Sequence, residues 1–105
     1  MMPKLIPALA EAINASAGVP LAHVKYLREL AVIIDMNGIV AVRCAKRGYD
    51  YKRRGSRPKS PPDIDSDLIA ATLNKALMPL GYTVFSVEDA GEAVIIFMEV
   101  EQCQK

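Results

Sequence analysis

Residues 31–45 read AVIIDMNGIVAVRCA, and the fold turns on them. Two apolar, β-branched runs flank Asn37-Gly38. That dipeptide supplies the two positive φ values of a type I′ turn, which makes it the strongest short-range hairpin signal in the chain. The reading is a strand over residues 31–35, a tight turn, and a second strand over 39–45. Val32, Ile33 and Ile34 place apolar groups on both faces of the first strand, the pattern of a strand covered on both sides, so it is expected at the centre of its sheet.

Before the hairpin, residues 4–17 carry Leu5, Ile6, Leu9 and Ile13 on one helical stripe. Pro3 and Pro7 crowd the first turn, where a missing N–H costs least, and Gly18 is placed to end the helix with a positive φ. Residues 21–30 are ambiguous. As a strand, Ala22, Val24 and Tyr26 alternate with His23, Lys25 and Leu27; as a helix, Pro20 opens it and the composition favours it. After the hairpin, Asp63, Asp65 and Asp67 suit the positive end of a second helix, which Asp65, Ser66 or Asp67 can cap. Its stripe is Leu68, Ile69, Leu73, Ala76, Leu77 and Leu80, and Gly81 ends it. Residues 82–87 alternate as a strand, residues 88–92 turn at Gly91, and residues 93–101 form a last strand, apolar on both faces over most of its length.

The expected fold class is α+β: two helices on an antiparallel sheet of four to five strands, in the order α-β-β-β-α-β-β, a two-layer sandwich. Two helices cover one face of such a sheet, and the other apolar face is a candidate for burial against a second subunit. The chain's 105 residues, 51% apolar and 24% charged, fit one globular domain over residues 1–105. A repeat is hinted at. Ala31-Val-Ile-Ile recurs as Ala93-Val-Ile-Ile sixty-two residues on, and Gly18 and Gly81 stand sixty-three apart. Duplication and two similar packing solutions both explain it.

The net charge of +1 gives no global field to steer nucleic acid or a membrane surface, but it hides an asymmetry. Residues 1–60 hold eleven Lys/Arg against four Asp/Glu, while residues 61–105 hold two against eight. The longest apolar run, residues 93–98, is far too short for a bilayer, and the N-terminal stretch is not a convincing secretory signal. Cytoplasmic residence is expected.

The basic residues concentrate in one place. Residues 46–62 read KRGYDYKRRGSRPKSPP, without periodicity, and form a loop or arm. Eight of the thirteen basic residues lie between Arg43 and Lys59, opposed only by Asp50. Arginine forks match phosphate geometry and tyrosine rings stack on unpaired bases, so the candidate partner-binding residues are Lys46, Arg47, Tyr49, Tyr51, Lys52, Arg53, Arg54, Arg57 and Lys59. The partner is nucleic acid or an acidic protein surface; the bland alternative is a solvated loop. Pro58, Pro61 and Pro62 stiffen the arm and stop the second helix from extending backwards. Pro58-x-x-Pro61 also has the spacing of a polyproline ligand, but that spacing is common in loops and a plain proline-rich linker into the second helix is the reading.

The other candidate chemistry is thin. Asp63, Asp65 and Asp67 have the alternation of a calcium loop, but Leu68 and Asn74 stand where that loop needs Gly and Glu, so helix capping is the reading. His23 has no nucleophile or acid nominated beside it. Cys44 and Cys103 make too small a ligand set for a metal and are read as apolar fillers. There is no phosphate-binding glycine motif, nucleophile elbow or His-Glu-x-x-His. No cofactor, metal, small-molecule substrate or enzymatic activity is expected.

The helix–three strands–helix order over residues 4–80 resembles double-stranded RNA-binding domains. Those reach phosphates with lysines at the start of their second helix, where this chain has Asp63, Asp65 and Asp67. With a further hairpin after the second helix, the order also resembles phage tail terminator proteins, small α+β subunits that close into rings. That likeness implies a homo-oligomeric virion subunit, with the basic and acidic halves meeting head to tail. The expected function is a non-catalytic binding module whose arm contacts nucleic acid or a nucleic-acid-handling complex; the alternative is the structural subunit.

Overall fold

A computed structural model of the protein describes residues 2–16, 18–24, 30–34, 38–49 and 60–100. It is α+β, with two helices and an antiparallel sheet. The elements are α1 (Met2–Ala15), β1 (Ala31–Ile34), β2 (Ile39–Ala45), α2 (Ser66–Leu77), β3 (Tyr82–Asp89) and β4 (Ala93–Val100). Hydrogen bonding orders the strands β1-β2-β4-β3, each pair antiparallel.

The centre of the sheet is therefore β2 and β4, and β1 lies at an edge. This corrects the expectation that the 31–34 strand is central. β4 takes the free side of β2, and β1 is a strand of four residues, the short kind that edges tolerate. The hairpin itself stands: Ala31 pairs with Arg43 and Ile34 with Val40, and Gly38 has φ +83°. Leu21 continues the same side of β2 by bridging Lys46, with Ala22 N–H donating to Ala45 O at 2.9 Å. Within residues 21–30, Leu21 forms that single bridge and residues 22–24 and 30 lie in neither helix nor strand; residues 25–29, like 35–37, lie outside the described residues.

The inward face of the sheet is Val40, Val42 and Cys44 on β2, Val94, Ile96 and Met98 on β4, and Tyr82, Val84 and Val87 on β3, all buried. Against it lie Leu5, Leu9 and Ile13 of α1 and Ile69, Leu73 and Leu77 of α2, in a single core. Each is a row at four-residue spacing, the geometry of one helix stripe. Full burial of each such side chain is worth about 1.5–3 kcal/mol. Leu68 and Leu80, expected on the α2 stripe, are exposed instead. Asp65 caps α2, its carboxylate accepting from Leu68 N–H at 3.2 Å, and a 3₁₀ turn over Met78–Leu80 runs to Gly81 at φ +92°. Helix α1 begins at Met2, so Pro7 sits beyond its first turn, with its side chain exposed. It stops at Ala15, three residues before Gly18, which does not take a positive φ; Ser16 Oγ instead bonds Ala12 O at 2.7 Å.

The order β1-β2-β4-β3 gives α1-β1-β2 and α2-β3-β4 the same helix–strand–strand sequence, with β2 and β4 side by side. One side-chain arrangement also recurs. Asn14 donates to Val24 O at 2.9 Å and accepts from Val24 N–H at 2.7 Å; Asn74 donates to Val84 O at 3.1 Å and accepts from Val84 N–H at 2.7 Å. Each asparagine brackets the backbone of a buried valine ten residues on. Residues 8–14, ALAEAIN, lie on 68–74, LIAATLN, at an offset of sixty. At that offset Val84 of β3 falls on Val24, which lies in no strand, so the asparagine pair relates the two helices and the segment after each rather than β1 to β3; the repeated Ala-Val-Ile-Ile, two residues out of step with it, lies on edge strand β1 and central strand β4.

Candidate functional site

The described part of the basic segment is its base, and the base is built around one buried lysine. Lys46 follows β2 in phase with Val40, Val42 and Cys44, so its side chain points inward, and only 2% of it is exposed. On β3, Asp89 shares that face, because it pairs with Val94, which pairs with Cys44. Lys46 Nζ donates to Asp89 Oδ1 and to Pro62 O, each at 2.8 Å. One ammonium thereby ties the end of β2, the end of β3 and the returning limb of the arm. Its four-carbon stem lies in apolar surroundings while its head is satisfied, the usual way a lysine is buried.

The backbone closes the same knot. Lys46 N–H donates to Glu92 O at 2.9 Å, Tyr49 N–H to Lys46 O at 2.9 Å, and Arg47 N–H to Pro20 O at 3.0 Å. The turn that lets Tyr49 fold back over Lys46 passes through Gly48 at φ +90°, a conformation that costs an L side chain about 1 kcal/mol or more. Arg47 Nη2 donates to Val19 O at 2.6 Å, fixing its direction at the rim. Asp89 also accepts from Gly91 N–H at 2.9 Å. The Lys46 hydrogen bond, with the Gly91 N–H second, holds the Asp89 carboxyl below the usual carboxylate range.

These positions revise the expected contact surface. Lys46 is withdrawn from it, because a side chain 2% exposed and engaged on both Asp89 and Pro62 does not present its charge outward. Tyr49 is also buried, at the base. Arg47 is exposed. Tyr51, Lys52, Arg53, Arg54, Arg57 and Lys59 lie outside the described residues. What the sequence reading missed is the partner set of Lys46, namely Asp89 and the Pro62 carbonyl. One signal was present: the alternation of β2, continued one step, already puts position 46 on the buried face.

The remaining candidates fall out quietly. Asp65 is a helix cap, and Asp63 and Asp67 are exposed. His23 is exposed, and Cys44 is buried on β2, its Sγ 3.7 Å from Ala45 O. Cys103 lies outside the described residues. Among the described residues no group of three His, Cys, Asp or Glu is placed to hold a metal, and no helix is long and apolar enough to cross a membrane. No protein-family model, no curated protein and no solved structure matches this chain.

Proposed function

We propose that the protein is a non-catalytic binding module that presents a basic arm, residues 50–59, to nucleic acid from the end of a two-layer α+β sandwich. The observation that carries this is the clasp. Tyr49 and Pro62, on either side of the arm, are both bonded to Lys46, so the chain between them starts and finishes at one place. That stretch holds Lys52, Arg53, Arg54, Arg57 and Lys59 against the single acid Asp50, with Tyr51 among them. A cationic loop held at both ends loses less freedom on binding than a free tail of the same composition. Arginine forks meet phosphates and Tyr51 supplies a stacking face. Arg47, exposed beside the clasp, extends the basic strip onto the folded domain.

The test is fluorescence anisotropy with a labelled DNA duplex and a single-stranded RNA of equal length across a salt series. Affinity for the duplex should fall with a log–log slope of about −0.9 for each phosphate neutralised. Replacing Arg53, Arg54 and Arg57 together by alanine should lower that slope by about two to three and leave the fold untouched. An unchanged slope removes the arm from the interaction. Absence of binding to either probe, together with an acidic protein copurifying through the same arginines, establishes the acidic-surface reading instead.

A further inference from the structure

The outward face of the sheet is apolar where a one-sided sheet is normally polar. Ile39 and Ala41 of β2 and Ile95 and Phe97 of β4 point away from the helices and are half-buried. On β3, the register slips between Val84 and Ser86, and the extra residue is Phe85, 55% exposed, its ring centroid 6.3 Å from that of Phe97. Both helices pack on the opposite face. Two charges sit on the outward face of the central strands: Arg43 at one end of β2 and Glu99 at the opposite end of β4. Both are exposed, and among the described residues neither forms an ion pair.

We propose that this face is the interface of a two-fold homodimer in which Arg43 of each copy meets Glu99 of the other. The register dictates the geometry. Arg43 pairs with Ile95, Ala41 with Phe97, and Ile39 with Glu99, so Arg43 and Glu99 lie diagonally across the Ala41–Phe97 pair and equally far from it. A two-fold axis in the plane of contact through that pair brings both charges onto their opposites at once. It sets Phe97 against its own counterpart and carries Ile95 over the partner's Phe85. Strands about 4.8 Å apart and a rise of about 3.3 Å per residue put the diagonal about 20° off the strand direction. The two sheets then cross at about 40°, close in magnitude to the roughly 30° of aligned sheet packing. Glu88, on edge strand β3 in register with Ile95, lies at the rim of the contact, where water screens it from its own counterpart across the axis. A second copy is the occupant because the face is its own electrostatic complement, one positive and one negative group exchanged by the axis that stacks the apolar residues.

The experiment is sedimentation velocity over a concentration series with the full chain, after nuclease treatment. The wild type is expected to dimerise in the micromolar range. Arg43→Glu and Glu99→Arg should each weaken the dimer at least about tenfold, by placing like charges opposite one another at two sites. The double variant should recover to within about threefold of wild type, since it restores both pairs in reversed sense. Phe85→Glu, at an exposed position that leaves the core intact, should also dissociate the dimer. A wild type that stays monomeric at several hundred micromolar overturns the proposal. So does an oligomer indifferent to the single reversals, or a double variant no better than either single. The arm variant lacking Arg53, Arg54 and Arg57 should dimerise normally, so the arm's function and this interface fail or stand separately.

Discussion

Lys46 shows how one side chain changes meaning between sequence and structure. In the sequence it opens a run of positive charge. In the fold it is core, 2% exposed, with a half-exposed carboxylate and a backbone carbonyl as partners. Its contribution comes mainly from the buried stem and the Pro62 tie, since an ion pair whose acid is 47% exposed is screened by water. Lys46→Ala should therefore cost about 2–3 kcal/mol by urea unfolding, the range of a large-to-small core substitution, and should free the arm's returning limb to proteolysis. Asp89 adds a pH dependence. Its carboxyl titrates lower in the folded than in the unfolded chain, so its stabilisation is present above the ordinary carboxylate pKa and is lost as pH falls through the lower folded value. Asp89→Asn should destabilise the protein at pH 7, and the gap to wild type should close as pH drops below about 4. A gap constant from pH 7 to pH 3 would place the origin of Asp89's effect elsewhere.

At the level of elements, each helix is held to a later stretch of backbone by the same device, Asn14 to Val24 outside any strand and Asn74 to Val84 of β3. Asn74→Ala leaves Val84 N–H and O without partners and should cost about 1–3 kcal/mol. Asn14→Ala should cost less, because Asn14 is exposed and water reaches the backbone groups it releases. Thermal melts of the two variants give the comparison; equal losses would mean that exposure does not set the difference. This level also shows what was legible in advance. The 31–45 hairpin announces itself because its turn chemistry and alternation are local. The place of β1 at an edge does not, because it depends on β4, which begins sixty-two residues after β1 and takes the other side of β2. The repeated Ala-Val-Ile-Ile is a run that any apolar strand can adopt. The likeness of Asn14 and Asn74 shows only once the backbone that each reaches is known. The arm was visible as charge; the clasp beneath it was not, since Asp89 and Pro62 are distant in sequence from Lys46 and from each other.

The whole molecule offers two surfaces with separate logic. The arm leaves the end of the sheet, where the Lys46 clasp gathers the basic segment, and its prediction is read in a salt slope. The outward sheet face lies across β2 and β4, and its prediction is read in a sedimentation profile. Dimerisation through that face would set two arms on one particle and raise their joint affinity for a long polyanion, since the second contact becomes intramolecular. Variants that abolish the dimer should then weaken binding to a long duplex more than to a short one.

The clasp also frees the arm's evolution from that of the domain. With Tyr49 and Pro62 both bonded to Lys46, the domain itself anchors the two ends of the segment. Doubling the length of a flexible loop costs only about 0.6 kcal/mol of closure entropy, less than a single well-made hydrogen bond. Insertions, deletions and wholesale replacement between those two residues are thus nearly neutral for folding. The fold can keep its scaffold constant while selection, or a designer grafting a foreign peptide, rewrites the segment it carries.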